Sequence, residues 1–166
     1  MGKQRGTSSP SPFILKAGEH MSKIYPFIII IPLIAMLLFK GVFFYEYDTK
    51  QRYIKDLADS TAYIVKITGV LTQDEYNRLK TNLNKYATFN DNNIILKKGI
   101  YSNGNILASE PYIPGTRLKK GDAFVIYMQS DNVSNYSRVE NLGVSMDDAK
   151  NLYFKAKAVC RVEYMD

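Results

Sequence analysis

The chain has no tryptophan, a single cysteine and a single histidine. With only Cys160 there is no internal disulfide. With only His20 there is no intrachain zinc site built on two histidines, and no nucleophile elsewhere is served by a histidine base unless His20 reaches it. No glycine-rich phosphate loop occurs. Acidic residues are also scarce: 16 Asp and Glu stand against 22 Lys and Arg, a formal net charge of +6. These shortages remove most hydrolytic and metal-dependent chemistry. No catalytic residue, metal ligand or cofactor is assigned, and the chain is read as a non-enzyme.

What the sequence does have is apolar residues, unevenly placed. Of the 166 residues 46% are hydrophobic, which excludes a wholly disordered chain, while the mean hydropathy of −0.22 excludes a multi-span membrane protein. Ile24 to Phe39 is sixteen residues without a charge, and Ile24 to Tyr45 contains one, Lys40. As a helix, the longer stretch reaches roughly 33 Å, enough for a hydrocarbon core of about 30 Å. Lys40 sits near one end, where its stem snorkels. Tyr25, Tyr45 and Tyr47 bracket the run as interfacial aromatics do. Pro26 falls in the first turn, and Pro32 is expected to kink the helix. No small-residue cleavage site follows, so an uncleaved single span is expected.

The flanks set the orientation. Lys3, Arg5, Lys16 and Lys23 precede the span against one acid, Glu19, whereas the residues after it are nearly balanced. The positive-inside rule therefore puts the N-terminus in the cytoplasm and the C-terminal part outside, in a single-pass cell-membrane protein. Membrane lipid is then a partner and intracellular nucleic acid is not. Residues 1–22, with the SSPSP stretch, are expected to be a disordered cytoplasmic tail, with Met21 the expected start; 23–47 form the span and 48–166 the outer domain.

Beyond Tyr47 the apolar residues turn periodic. Ile54, Leu57, Ala58, Thr61, Ile64, Val65 and Thr68 recur at three- and four-residue steps, which predicts one helix from Lys23 to Thr68 ended by Gly69. Thr72 and Glu75 make a capping box ahead of a second helix lined by Tyr76, Leu79, Leu83 and Tyr86. From Asn90 the pattern is that of strands: short pieces at Ile94–Leu96 and Gly99–Tyr101, a hairpin turn at Asn103-Gly104, a second turn at Pro114-Gly115, and a strand over Asp122–Ser130. Leu152 to Met165 is the clearest strand, with Phe154, Ala156, Ala158, Cys160, Val162 and Tyr164 on one face and Lys155, Lys157, Arg161 and Glu163 on the other. Asp131 to Lys150 is expected to be an exposed loop. The fold class is therefore α+β: a long transmembrane-to-amphipathic helix, a short helix and a small antiparallel sheet. Ile54, Leu57 and Ile64 are expected to pack on Phe154, Ala158 and Val162.

This layout resembles the TadE-like minor pilins of tight-adherence systems, and more closely their short relatives in Gram-positive bacteria and mobile elements. The resemblance covers Lys23 to Asp166 and rests on the N-terminal span, the segments KQRYIKDLADSTAYIVKITG and TQDEYNRLKTNL, and the strands LKKGDAFVIYM and YFKAKAVCRVEYM. It implies a pilin-like fold and a structural role in a pilus, secretion or conjugation apparatus, with homotypic or related pilin-like subunits and inner-membrane assembly machinery as partners. One departure is plain. Gly41 precedes Glu46 and Tyr47 at the spacing of a prepilin cleavage motif, but here the apolar run lies before the glycine, so processing there is not expected.

In that reading Ile28, Pro32, Met36, Phe39, Lys40, Phe43 and Glu46 form the membrane and assembly helix, with lateral packing around Ile28 to Phe39. Lys40 and Glu46 have a sharper reading, pairing with a neighbouring subunit. Cys160 is expected to be a packed thiol rather than a dimer crosslink. Lys97, Lys98, Arg117, Lys119 and Lys120 cluster around turns, where solvation explains them more simply than lipid headgroups or cell-wall polymer. Asp147 and Asp148 lack the alternation of a calcium loop. The alternative function is a single-span, membrane-tethered binding or sensor module with no assembly role.

Overall fold

The structure is a computed structural model that describes residues 12–102, 105–142 and 150–163, with side chains described over 25–100, 109–142 and 150–163. The chain divides into two compact units, Met1–Gly41 and Val42–Asp166. The fold is α+β, with a long N-terminal apolar helix, a short helix and a four-stranded antiparallel sheet.

Helix α1 runs Pro12–Thr68, with Pro26 and Pro32 inside it. It starts ahead of the expected Lys23. Pro12 at its first position suits a helix start, because its fixed φ is helical and its missing N–H is one the first turn leaves unused. Its other end is as expected: Gly69 adopts φ 71° and its N–H donates to the Val65 carbonyl at 2.8 Å, a left-handed cap that side chains with a Cβ disfavour. The stop is reinforced by the neighbouring loop, since the Leu118 N–H donates to the Gly69 carbonyl at 2.8 Å. Helix α2, Gln73–Leu83, has the full capping box: the Glu75 N–H donates to Thr72 Oγ1, and the Thr72 N–H to Glu75 Oε2. The α2 face buries Leu79 and Leu83, with Tyr76 half-buried.

The strands are β1 (Ile94–Ser102), β2 (Asn105–Pro111), β3 (Asp122–Val133) and β4 (Tyr153–Arg161), in the order β2-β1-β3-β4. The two short pieces expected around Ile94 and Gly99 are one strand, whose register against β2 shifts between Lys98 and Ile100. β1 and β2 pair up to Ser102 opposite Asn105, so they form a hairpin; the expected turn residues Asn103 and Gly104 lie outside the described residues. The Pro114-Gly115 turn is present, with Gly115 at φ 88° and its N–H on the Leu71 carbonyl.

The expected loop from Asp131 to Lys150 is partly corrected. β3 extends to Val133, and Asn135–Glu140 is a short helix, α3. Buried serines explain why this polar stretch folds. Ser134 caps α3 by accepting from the Ser137 N–H, Ser130 Oγ accepts the Phe154 N–H, and Ser137 Oγ accepts the Leu152 N–H while donating to the Lys150 carbonyl. Each hydroxyl satisfies backbone groups that would otherwise be buried unpaired. Asp147, Asp148 and Tyr164 lie outside the described residues.

One core holds the Val42–Asp166 unit together. Ile54, Ala58, Ala62 and Val65 of α1 share it with Leu79 and Leu83 of α2 and with Phe124, Ile126, Met128, Phe154, Ala156 and Ala158 of the sheet. Fully burying an aliphatic or aromatic side chain of this size stabilises by about 1.5–3 kcal/mol. Over Phe124–Ser130 of β3 and Phe154–Arg161 of β4, even-numbered residues face the core and odd-numbered ones face away.

Candidate functional site

Among the described residues, one helix is long and apolar enough to cross a membrane. Its most apolar window has none of its residues buried. Exposure runs from 46% at Met36 to 69% at Ile29, with Ile28 and Phe39 between them. Exposed apolar side chains all round a helix have a natural solvent in hydrocarbon, where the helix pairs its own backbone except opposite Pro26 and Pro32, which have no N–H to donate. Lys40 is half-buried at the end of this stretch.

In the Val42–Asp166 unit, the first turns of α1 carry an aromatic and polar cluster. Phe44 meets Tyr136 of α3 edge-on at 5.3 Å between ring centroids, and Tyr47 stacks on Phe154 at 5.3 Å. Glu46 accepts a 2.6 Å hydrogen bond from Lys50 and longer ones from Asn135 Nδ2, at 3.4 and 3.5 Å. Glu46, Tyr47, Lys50, Asn135 and Phe154, with Phe43, Ser134 and Tyr86, line a small hollow of about 40 Å³. Glu46, read from sequence as a candidate partner for another subunit, is thus engaged within its own head. Phe44 and Tyr47 make these ring contacts within the Val42–Asp166 unit.

The residues expected to join helix to sheet fall as follows. Ile54, Phe154, Ala158 and Val162 are buried, Leu57 is half-buried against the core, and Ile64 is half-buried one position from the fully buried Val65. Cys160 packs against the core from the rim, and burial pushes its thiol pKa up to about 11. Gln51 uses both ends of its carboxamide on the open edge of β4. Its Oε1 accepts the Lys155 N–H at 3.1 Å and its Nε2 donates to the Lys155 carbonyl. Higher up, the Glu163 N–H donates to the Lys66 carbonyl at 2.8 Å, and Lys66 pairs with the Glu163 carboxylate at 3.0 Å. No motif in the sequence announces these edge contacts.

The face of the sheet turned away from the core carries a hollow of about 460 Å³ lined by Ile95, Lys97, Ser109, Val125, Tyr127 and Lys157. Alternation sends Lys97 and Lys98 to opposite faces, and Lys98 pairs with Glu110 at 3.5 Å. The basic cluster read from sequence is therefore divided, and the basic surface that forms combines Lys97 with Lys155, Lys157 and Arg161 from β4. No family model, curated protein or solved structure matches this chain. Among the described residues no three His, Cys, Asp or Glu side chains gather in a way that could hold a metal ion.

Proposed function

We propose that this protein is a membrane-anchored structural subunit of pilin-like layout, serving a pilus, secretion or conjugation apparatus. The N-terminus lies in the cytoplasm, the span crosses the cell membrane, and the α+β head stands outside. Subunits associate laterally with one another or with related pilin-like chains, in the bilayer first and then in an assembly raised by inner-membrane machinery. The observation that carries this reading is the bare apolar surface of α1 from Tyr25 to Phe39, attached through the same helix to a head whose core it helps to build. The TadE-like resemblance of the sequence points the same way.

The test is disulfide crosslinking of the full-length protein in membranes. Single cysteines are introduced at Ile28, Pro32, Met36 and Phe39 in a Cys160→Ala background. The reading expects crosslinked dimers at positions on one helical face, in a protein that stays with the membrane after alkaline extraction. A protein that stays in the membrane but is monomeric at every position is a tethered binding module instead. One that washes off is neither.

A further inference from the structure

We propose that the outer face of the sheet receives the outward face of α1 from a second copy of this chain, so that heads stack side by side. This rests on the assembly reading above and names the surface it uses.

Among the described residues, two faces of the head are left uncovered, and they carry unpaired charges of opposite sign. On the outward register positions of β1, of β3 up to Gln129 and of β4, the charged side chains are Lys97, Lys155, Lys157 and Arg161, all cationic. Between them lies an apolar floor that includes Ile95, 41% exposed, and Val159, 43% exposed. On the outward face of α1, Asp56, Asp59, Tyr63 and Ile67 follow one another at three- and four-residue steps, and all are exposed. Among the described residues neither aspartate has an ion-pair or hydrogen-bond partner. Five other acids of the head are held in ion pairs: Glu46 by Lys50, Asp48 by Arg52, Asp91 by Lys80, Glu110 by Lys98 and Glu163 by Lys66. Among the described residues Asp56 and Asp59 of α1, like Asp74 of α2, have no ion-pair partner, and neither do Lys97, Lys157 and Arg161 on the outer face of the sheet.

Width and height agree as well. β1 to β4 spans two strand spacings, about 10 Å, with cations on both outer strands, and a helix is about 10 Å across. Gln51 meets Lys155 and Lys66 meets Glu163, so α1 and β4 climb in the same direction. Between those contacts the helix rises about 22 Å and the extended chain about 26 Å. Interpolating, the rung Ile95–Tyr127–Lys157 stands about level with residue 55, and the rung Lys97–Val125–Val159 about level with residue 58 or 59. In copies standing parallel in one membrane, a sideways shift brings Asp56 level with Lys157 and Asp59 level with Lys97. Tyr63 then comes level with Arg161, a pairing that cation–π attraction favours. The contact joins two different faces, so it is heterologous and does not close on itself.

The experiment uses the full-length chain in membranes, in a Cys160→Ala background. Asp59→Cys combined with Lys97→Cys is expected to give a ladder of disulfide-linked oligomers on oxidation, and neither single cysteine to give more than a trace. Lys157→Glu should lower the crosslinking yield about tenfold, an effect that 1.4 kcal/mol produces, and adding Asp56→Lys to the same chain should restore it. No ladder, with the Met36→Cys span crosslink intact, overturns the stack while the assembly reading stands. Loss of both crosslinks overturns both. Efficient dimers from Lys97→Cys alone would mean face-to-face sheets and would also overturn the stack.

Discussion

Residues 25–39 and residues 54–65 belong to one helix and share an appetite for aliphatic side chains, yet they meet opposite fates. In the first stretch the apolar residues surround the helix and every one of the large ones is exposed. In the second, apolar residues keep to one stripe, and Ile54, Ala58 and Val65 are wholly buried. The difference is periodicity rather than composition. A helix apolar all round can satisfy itself only in an apolar solvent, whereas a stripe is satisfied by one partner layer. The two alanines in the stripe let the helix approach the sheet closely, and the bulk of that core comes from Phe124, Ile126, Met128 and Phe154.

The strongest way to break this contrast is to truncate equivalent residues on either side of it. Ile54→Ala should destabilise the head by about 2–5 kcal/mol, because it opens a cavity in a closed core. Ile34→Ala should leave head stability unchanged in the same detergent-solubilised full-length protein. Denaturant melts followed by near-ultraviolet tyrosine signals compare the two directly, and equal losses would erase the distinction.

The same contrast holds between the two faces of the sheet. Phe124→Ala should cost about 3–5 kcal/mol, while Val159→Thr, directly across the sheet from the core, should stay within about 0.5 kcal/mol. A smaller effect comes from the cap that turns the chain into α2. Thr72→Ala removes the acceptor of the Glu75 N–H and should cost about 1 kcal/mol, with faster amide exchange over the first turn of α2 as its local signature.

The last effect is confined to alkaline pH and belongs to Cys160. Burial, outweighing the attraction of nearby Lys66, holds its thiol pKa at about 11, above the unfolded value. A raised acid favours folding fully below the unfolded pKa, and that contribution is lost as pH climbs through the folded one. Between about pH 8.5 and pH 11 the wild type should therefore lose more stability than Cys160→Ala. Near neutral pH the native thiol should react with a soluble disulfide reagent far more slowly than the denatured one. Equal rates would show that the thiol is not packed.

Much of the fold was legible before the structure. The span, the Gly69 stop, the Thr72–Glu75 box and the alternation of β4 are local patterns, and each depends on neighbours within a few residues. Asp131–Ser137 was not legible, because its serines are ordinary loop residues until Leu152 and Phe154 arrive to donate to them. Gln51 on Lys155 was hidden for the same reason, with more than a hundred residues between the partners. Lys97 and Lys98 are adjacent in the chain, and only the pleat separates them.

By itself, the sequence determined that this chain has one stretch suited to a membrane, one amphipathic continuation of it, and a set of antiparallel strands, since hydrophobic period is a property of the chain. Tertiary structure alone decided which charges find partners within the chain and which do not. Ion pairing depends on distances of a few ångströms between side chains far apart in sequence, and folding sets those distances.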